Sequence, residues 1–190
     1  MSRFKEELKR KVLLCDGAMG TMLYSKGAFV NRSFDELNIT QPDLVRSVHS
    51  SYAEVGVDVI ETNTFGANRV KLETFGLGDQ LEKINEAGVL LAREAAGAEV
   101  FVAGALGPLG ILIEPSGNIS QAEARSHFSE QAIILAVSGV DLFILETFRS
   151  VEELVVGVAA VRSSWEGINC AERIAWRHSG GRLQGLFTPA

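Results

Sequence analysis

Val12-Leu13-Leu14-Cys15-Asp16-Gly17-Ala18-Met19-Gly20-Thr21 joins an unbroken apolar run to an acid and a glycine-rich turn. Four apolar residues in succession predict a strand buried on both faces, as in parallel sheets covered by helices. Asp16 ends that strand, and the C-terminal ends of such strands are where these sheets keep their ligands. Gly17 and Gly20 allow positive φ and carry no Cβ, so backbone N–H groups can close on a bound group. A plain Asp-Gly turn is the competing reading of this stretch taken alone.

The flanking sequence alternates helix and strand. Residues 4–10 predict a short charged helix, 17–27 a loop, and 31–38 an extended polar loop. Thr40-Gln41-Pro42-Asp43 starts a helix, with Thr40 as its cap and Pro42 in its first turn. That helix packs through Leu44, Val45, Val48, Tyr52 and Val55 and stops at Gly56. Strands follow at 57–65, 100–105 and 140–148, separated by helices over 67–75, 80–96 and from the capping box Ser120-Gln121-Ala122-Glu123 to about Val137. A last helix runs from Ser150 to about Val161. Gly56-Val57-Asp58 with Glu61-Thr62-Asn63-Thr64-Phe65 is echoed by Gly139-Val140-Asp141 with Glu146-Thr147-Phe148, an internal repeat. Repeated βα units with polar groups at their strand ends predict an α/β fold of the (β/α) barrel kind, and a doubly wound open sheet accommodates four such units as well.

The 190 residues are 46% hydrophobic and 22% charged, the composition of a folded domain and not of a disordered chain. A net charge of −6 excludes the basic face that a nucleic-acid binder needs. The charged N-terminus precedes only four apolar residues, which is no signal peptide, and no apolar run reaches membrane-spanning length. Cys15 and Cys170 do not form a disulfide framework, which fits a reducing, cytoplasmic location. From about Ser163 the character changes: both tryptophans, scattered Arg173, Arg177 and Arg182, and Ser179-Gly180-Gly181 follow no period of strand or helix. Residues 1–162 are therefore expected to form the (β/α) domain and 163–190 a disordered tail unrelated to it.

Asp16, Glu61 and Glu146 each end a predicted buried strand, so they converge on one mouth, with Asn63, Thr64 and Thr147 beside them. One such carboxylate could simply cap a helix. Three together are costly unless cations or donors meet them, and that suits a small ligand carrying an ammonium group. The same acids could also do acid–base work without a metal. His49 and His127 lie within helices and are expected at the surface or core edge, with Met19 and Met22 in packing roles.

Asp16-Gly17-Ala18-Met19-Gly20-Thr21, Ser33-Phe34-Asp35-Glu36-Leu37-Asn38, Glu61-Thr62-Asn63-Thr64-Phe65, Ala103-Gly104-Ala105-Leu106-Gly107-Pro108 and Glu146-Thr147-Phe148 together resemble the N-terminal half of the homocysteine S-methyltransferase family. The resemblance spans residues from about 10 to 162. It implies a barrel of eight βα units, of which this chain carries about four, and homocysteine as the ligand. It further implies a zinc ion that turns the homocysteine thiol into a thiolate able to take a methyl group. Asp16, the turn Gly17, Ala18, Gly20 and Thr21, Asn63 and Glu146 would then hold the amino-acid end, with Glu146 facing the ammonium. The donor, whether a folate, a corrinoid or a methylated sulfonium, is not implied.

The family holds its zinc through three thiolates, two of them adjacent, and this chain has no Cys-Cys pair. Gly167-Ile168-Asn169-Cys170 imitates one ligand motif but lacks a preceding apolar strand, and reads as a chance match. The resemblance therefore implies a module truncated before its metal ligands and inactive by itself. A non-catalytic half-barrel that buries its open edges by self-association or against a partner, and a metal-free enzyme built on Asp16, Glu61 and Glu146, remain as alternatives.

Overall fold

The computed structural model describes residues 3–28, 32–166, 174–177 and 183–187, from residue 165 onward by the backbone alone. Its helices and strands are α1 (Arg3–Arg10), α2 (Met19–Ser25), α3 (Leu37–Thr40), α4 (Pro42–Glu54), β1 (Val59–Glu61), α5 (Arg69–Thr74), α6 (Leu81–Ala96), β2 (Phe101–Leu106), α7 (Gln121–Val137), β3 (Leu142–Glu146), α8 (Val151–Glu166), β4 (Ile174–Arg177) and β5 (Leu183–Phe187). The expected alternation is present. Ser120 caps α7 by accepting the Glu123 N–H, and Ser150 accepts the Glu153 N–H at 3.1 Å.

The sheet order is β1-β2-β3-β4-β5, with β1 to β4 parallel and β5 antiparallel to β4. A doubly wound sheet reverses its strand order at a switch point, and no reversal occurs among the described strands. Alternation along the strands divides their side chains between two layers. Ile60, Val102, Leu106, Phe143 and Leu145 pack with α6, α7 and α8, for example against Val89, Phe128, Leu135 and Val161. Val59, Phe101, Ala103, Leu142 and Ile144 face the other way, where Phe4 of α1 joins them. Helices stacked along one face and a small-core interior on the other suit a segment of a (β/α) barrel, not an open doubly wound sheet.

Helix α1 closes the N-terminal end of that interior. The Phe4 and Phe101 rings meet edge to face at 5.2 Å, and the Arg3 guanidinium lies 4.8 Å from the Phe101 ring centre. Full burial of Phe4 is worth about 2 kcal/mol. With this end plugged, the C-terminal ends of the strands are left as the open mouth.

Four expectations change. Residues 12–15 do not form a strand buried on both faces: Cys15 makes one parallel bridge to Val59, while Val12 is 93% and Leu14 57% exposed. The stretch has β1 on one side and, among the described residues, no strand on the other. Within 17–27, expected as loop, residues 19–25 are helical. Thr40 does not cap α4; its hydroxyl donates to the Glu36 carbonyl at 3.1 Å, and Gln41 holds the cap position without a side-chain bond. Finally, α8 runs through Ser163, and the stretch expected to lack regular structure carries β4, paired with β3 from Phe143↔Ile174 to Glu146↔Arg177, and β5. Gly167-Ile168-Asn169-Cys170 lies outside the described residues. No helix among the described residues is long and apolar enough to cross a membrane.

Candidate functional site

A cavity of about 610 Å³ opens at the C-terminal ends of β1 to β3. Asp16, Gly17, Ala18, Gly20, Thr21, Glu61, Asn63, Glu146 and Thr147 all line it. Residues from three separate stretches thus come together because parallel strands in sequential order bring their C-terminal ends to one side. Thr64 is the exception. It is fully buried, shares a 2.6 Å hydrogen bond with the Thr62 hydroxyl and donates to the Ala105 carbonyl at 2.8 Å, so it ties β1 to β2 and does not face the cavity.

Asp16 is buried, and its Oδ2 accepts the Glu61 N–H at 3.1 Å. One strand end thereby fixes the next. The glycine turn works otherwise than expected, since neither Gly17 nor Gly20 has positive φ. At Gly17 the need is for space: a Cβ there would sit 2.9 Å from the Tyr52 hydroxyl, which donates to the Ala18 carbonyl at 3.2 Å. Burial and the nearby Asp16 charge push the Tyr52 hydroxyl pKa up, so the phenol keeps its proton and this bond. Positive φ occurs instead at Thr147, φ 62, beside Glu146. A β-branched residue in that region is strained, and such strain gathers at binding sites.

Asn63 is bound on both of its amide hydrogens, donating to the Phe34 carbonyl at 2.8 Å and to Asn38 Oδ1 at 2.9 Å. It holds the 33–38 segment over the tip of β1. Asp35 pins the same segment: it accepts the Gly66 N–H at 2.9 Å and the Ser33 hydroxyl at 3.0 Å. A Cβ on Gly66 would lie 2.6 Å from the Asp35 carboxylate, so only glycine permits this approach. Burial raises the Asp35 pKa against those hydrogen bonds.

The sequence reading did not select Ser33, Phe34, Asp35, Phe65, Gly66 or Lys71 as lining residues, yet all border the cavity. Their signal was available only as polar residues in the Ser33–Asn38 loop and as Lys71 one turn into α5. His49 is likewise not at the surface: it is completely buried in α4, neither ring nitrogen has a hydrogen-bond partner among the described residues, and burial lowers its pKa to about 4.

The donor set does not fit a zinc centre. Among the described residues no three His, Cys, Asp or Glu side chains cluster as metal ligands, and Cys15 packs in the inner layer beside Phe4 and Val59. A closed or catalytic zinc site needs three or four such donors, so no step is routed through a metal here. The cavity offers carboxylates, backbone groups of a turn and a partly aromatic rim, which suits a small zwitterion.

Comparison with known proteins places these features in context. The homocysteine S-methyltransferase family matches residues 13–177. Methionine synthase of Mycobacterium tuberculosis (strain ATCC 25618 / H37Rv) is 30% identical over 167 residues, 82% of this chain and 14% of that protein. Methionine synthase of Mycobacterium leprae (strain TN) is 30% identical over 169 residues, 83% of this chain and 14% of that protein. Among solved structures, the oxidized form of the homocysteine methyltransferase MmuM from Escherichia coli superposes with a TM-score of 0.78 at 22% identity, covering 92% of this chain and 65% of that one. Its metallated form gives 0.75 at 22% identity, covering 90% and 65%. The chain thus spans a small part of the curated relatives and just under two thirds of the solved structures.

Proposed function

The chain belongs to the homocysteine S-methyltransferase family, and from that premise we propose that it is the amino-acid-binding part of a module that methylates the homocysteine thiol to give methionine. The observation that supports this reading is the gathering of Asp16, Glu61 and Glu146, from three strand ends, with the Gly17–Thr21 turn around one cavity. Glu146 takes the substrate ammonium. Its carboxylate is half-buried, where a charge-assisted hydrogen bond is stronger than in open water. Asp16 lines the same cavity, with one carboxylate oxygen committed to the Glu61 N–H, and keeps the turn and β1 in register. Asn63 and Asp35 act through the loop they fasten.

Calorimetric titration with L-homocysteine tests this. Wild-type protein should bind, and Glu146→Gln, which keeps size and loses charge, should bind about 100-fold more weakly, the worth of roughly two charge-assisted hydrogen bonds. Equal affinity of the two proteins would remove Glu146 from the site.

A second reading draws on the exposed edge. Val12 and Leu14 present apolar side chains to solvent, an exposed apolar surface of the kind that marks a contact site. On this reading residues 12–15 dock against another chain. Sedimentation of the wild type against Val12→Lys tests it, with dissociation of an oligomer by the lysine as the expected result.

A further inference from the structure

The wall that β1 contributes to the cavity is held from behind. Thr62, Asn63, Phe65 and Gly66 line the cavity, and three carbonyls within residues 63–67 each accept from a buried carboxamide. Asn38 of α3 donates to the Asn63 carbonyl at 2.8 Å, Asn85 of α6 to the Ala67 carbonyl at 2.8 Å, and Gln131 of α7 to the Thr64 carbonyl at 2.8 Å. Gln131 comes from furthest away. It lies 67 residues from Thr64 in the chain, is fully buried, and belongs to a helix of which no residue lines the cavity.

Gln131 supplies two hydrogens from one nitrogen. Its Nε2 donates to the Thr64 carbonyl and also to Asn85 Oδ1 at 3.2 Å. Both partners must be acceptors, because Asn85 Nδ2 is already committed to the Ala67 and Leu81 carbonyls, each at 2.8 Å. A carboxamide meets that demand without burying a charge. As a stabiliser it is poor: Gln131 Oε1 is buried with no hydrogen-bond partner among the described residues, and an unmet buried acceptor costs about as much as an ordinary hydrogen bond contributes. What the amide adds is geometry. The Thr64 carbonyl also accepts the Ala67 N–H at 3.0 Å, so the peptide that Gln131 aims sets how Phe65 and Gly66 enter the wall. Helix α6 leaves no slack on its side, since a Cβ on Gly88 would lie 2.7 Å from both Thr64 Cγ2 and Asn38 Nδ2.

We propose that Gln131 is a positioning residue of this cavity: from the outer helix layer it aims the Thr64 peptide and so keeps the β1 wall in its ligand-accepting form. For its ligand the inference rests on the homocysteine reading above, while the wall itself can be followed with no ligand bound.

Calorimetry with L-homocysteine compares the wild-type chain with Gln131→Met, which keeps length and loses both hydrogens, and with Leu135→Val, a truncation of a fully buried residue one turn further along α7. Gln131→Met should weaken binding about 10-fold, because affinity and rate both depend on sub-ångström placement. Leu135→Val should lower the melting temperature and leave the affinity unchanged. Gln131→Glu adds a readout that lost stability alone would not move. Protonated, the acid donates to the Thr64 carbonyl; ionised, it turns negative oxygens toward that carbonyl and Asn85 Oδ1. Burial raises the pKa of such an acid, so its affinity should match wild type at about pH 5.5 and fall to the Gln131→Met level by about pH 8. Wild-type affinity in Gln131→Met, equal weakening by Leu135→Val, or a Gln131→Glu affinity that keeps one ratio to wild type across this range would overturn the proposal. If the wild type gives no heat, the homocysteine reading fails and amide exchange decides on Gln131. Gly66 and Ala67, whose N–H groups bond to Asp35 and to the Thr64 carbonyl, should then exchange faster in Gln131→Met while the β3 amides keep their rates. No change at Gly66 and Ala67, or an equal change in β3, overturns the positioning role.

Discussion

At the tip of β1 the run Glu61-Thr62-Asn63-Thr64-Phe65 lies beneath the 33–38 segment, whereas at the tip of β3 the related run Glu146-Thr147-Phe148 has no comparable cover among the described residues. The consequences differ side chain by side chain. Thr62 and Thr64 are buried, and the Ala105 N–H donates to the Thr62 hydroxyl at 3.0 Å. Thr147 is exposed and left-handed. Phe65 carries Lys71 on its face, while Phe148 packs beside Phe128 at 5.9 Å in the helix layer. Both tips line the cavity, one as a fastened polar structure and the other as an uncovered wall, although their residues nearly coincide. A repeat in sequence fixes where a side chain leaves the strand; the neighbours fix what it then does.

Acid should separate the two sides most strongly. His49 sits in α4, the helix that packs on α6 and β1, and its folded pKa of about 4 lies below the ordinary 6.5. The unfolded chain therefore takes up the proton first, so stability is intact above pH 6.5 and falls as the pH drops from there to about 4, by about 3 kcal/mol in all. Amide exchange across this window should show α4 and the β1 tip losing protection before β3, and His49→Leu should abolish the difference. Uniform loss along the chain would place the acid sensitivity elsewhere.

Asn63→Ala should cost about 2 kcal/mol in urea unfolding, because it strips the Asn38 oxygen and the Phe34 carbonyl of their donor in a buried place. Glu146→Ala, at the uncovered tip, should change stability by less than about 0.5 kcal/mol. Equal costs at the two tips would end the distinction drawn between them. Thr62→Val keeps shape but leaves the buried Ala105 N–H without its hydroxyl acceptor, and about 1.5 kcal/mol of destabilisation is expected. Thr147→Gly should act in the opposite direction. Relief of the left-handed threonine slightly outweighs the added freedom of the unfolded chain, for a gain of about 0.5 kcal/mol read as a raised melting temperature.

Much of the fold was legible because it depends on local order. The runs around Val102 and Ile144 are apolar without a break, that around Val59 is interrupted only by Asp58, and the helices between them carry caps and apolar stripes that need no distant partner to be recognised. Placement of Asp16, Glu61, Asn63 and Glu146 at one mouth followed from the same alternation, since every parallel strand presents its C-terminal end to the same side. Thr64 was misassigned because a residue just past a strand end can turn into the protein as readily as out of it, and the deciding contact, the Ala105 carbonyl, is far away in the chain.

What the sequence determined by itself was the order of βα units and the identity of the acids at their ends, because hydrophobic periodicity and turn residues act over a few neighbours. Tertiary structure alone decided that Val12 and Leu14 stand exposed at an edge, that His49 is sealed inside, that Ser33–Asn38 folds over β1, and that Lys71 meets Phe65 with no carboxylate at ion-pairing distance among the described residues. Each of these depends on whether a distant segment arrives to cover a group or supply its hydrogen bond, and burial and electrostatics are set by that arrival, not by the residue's own type.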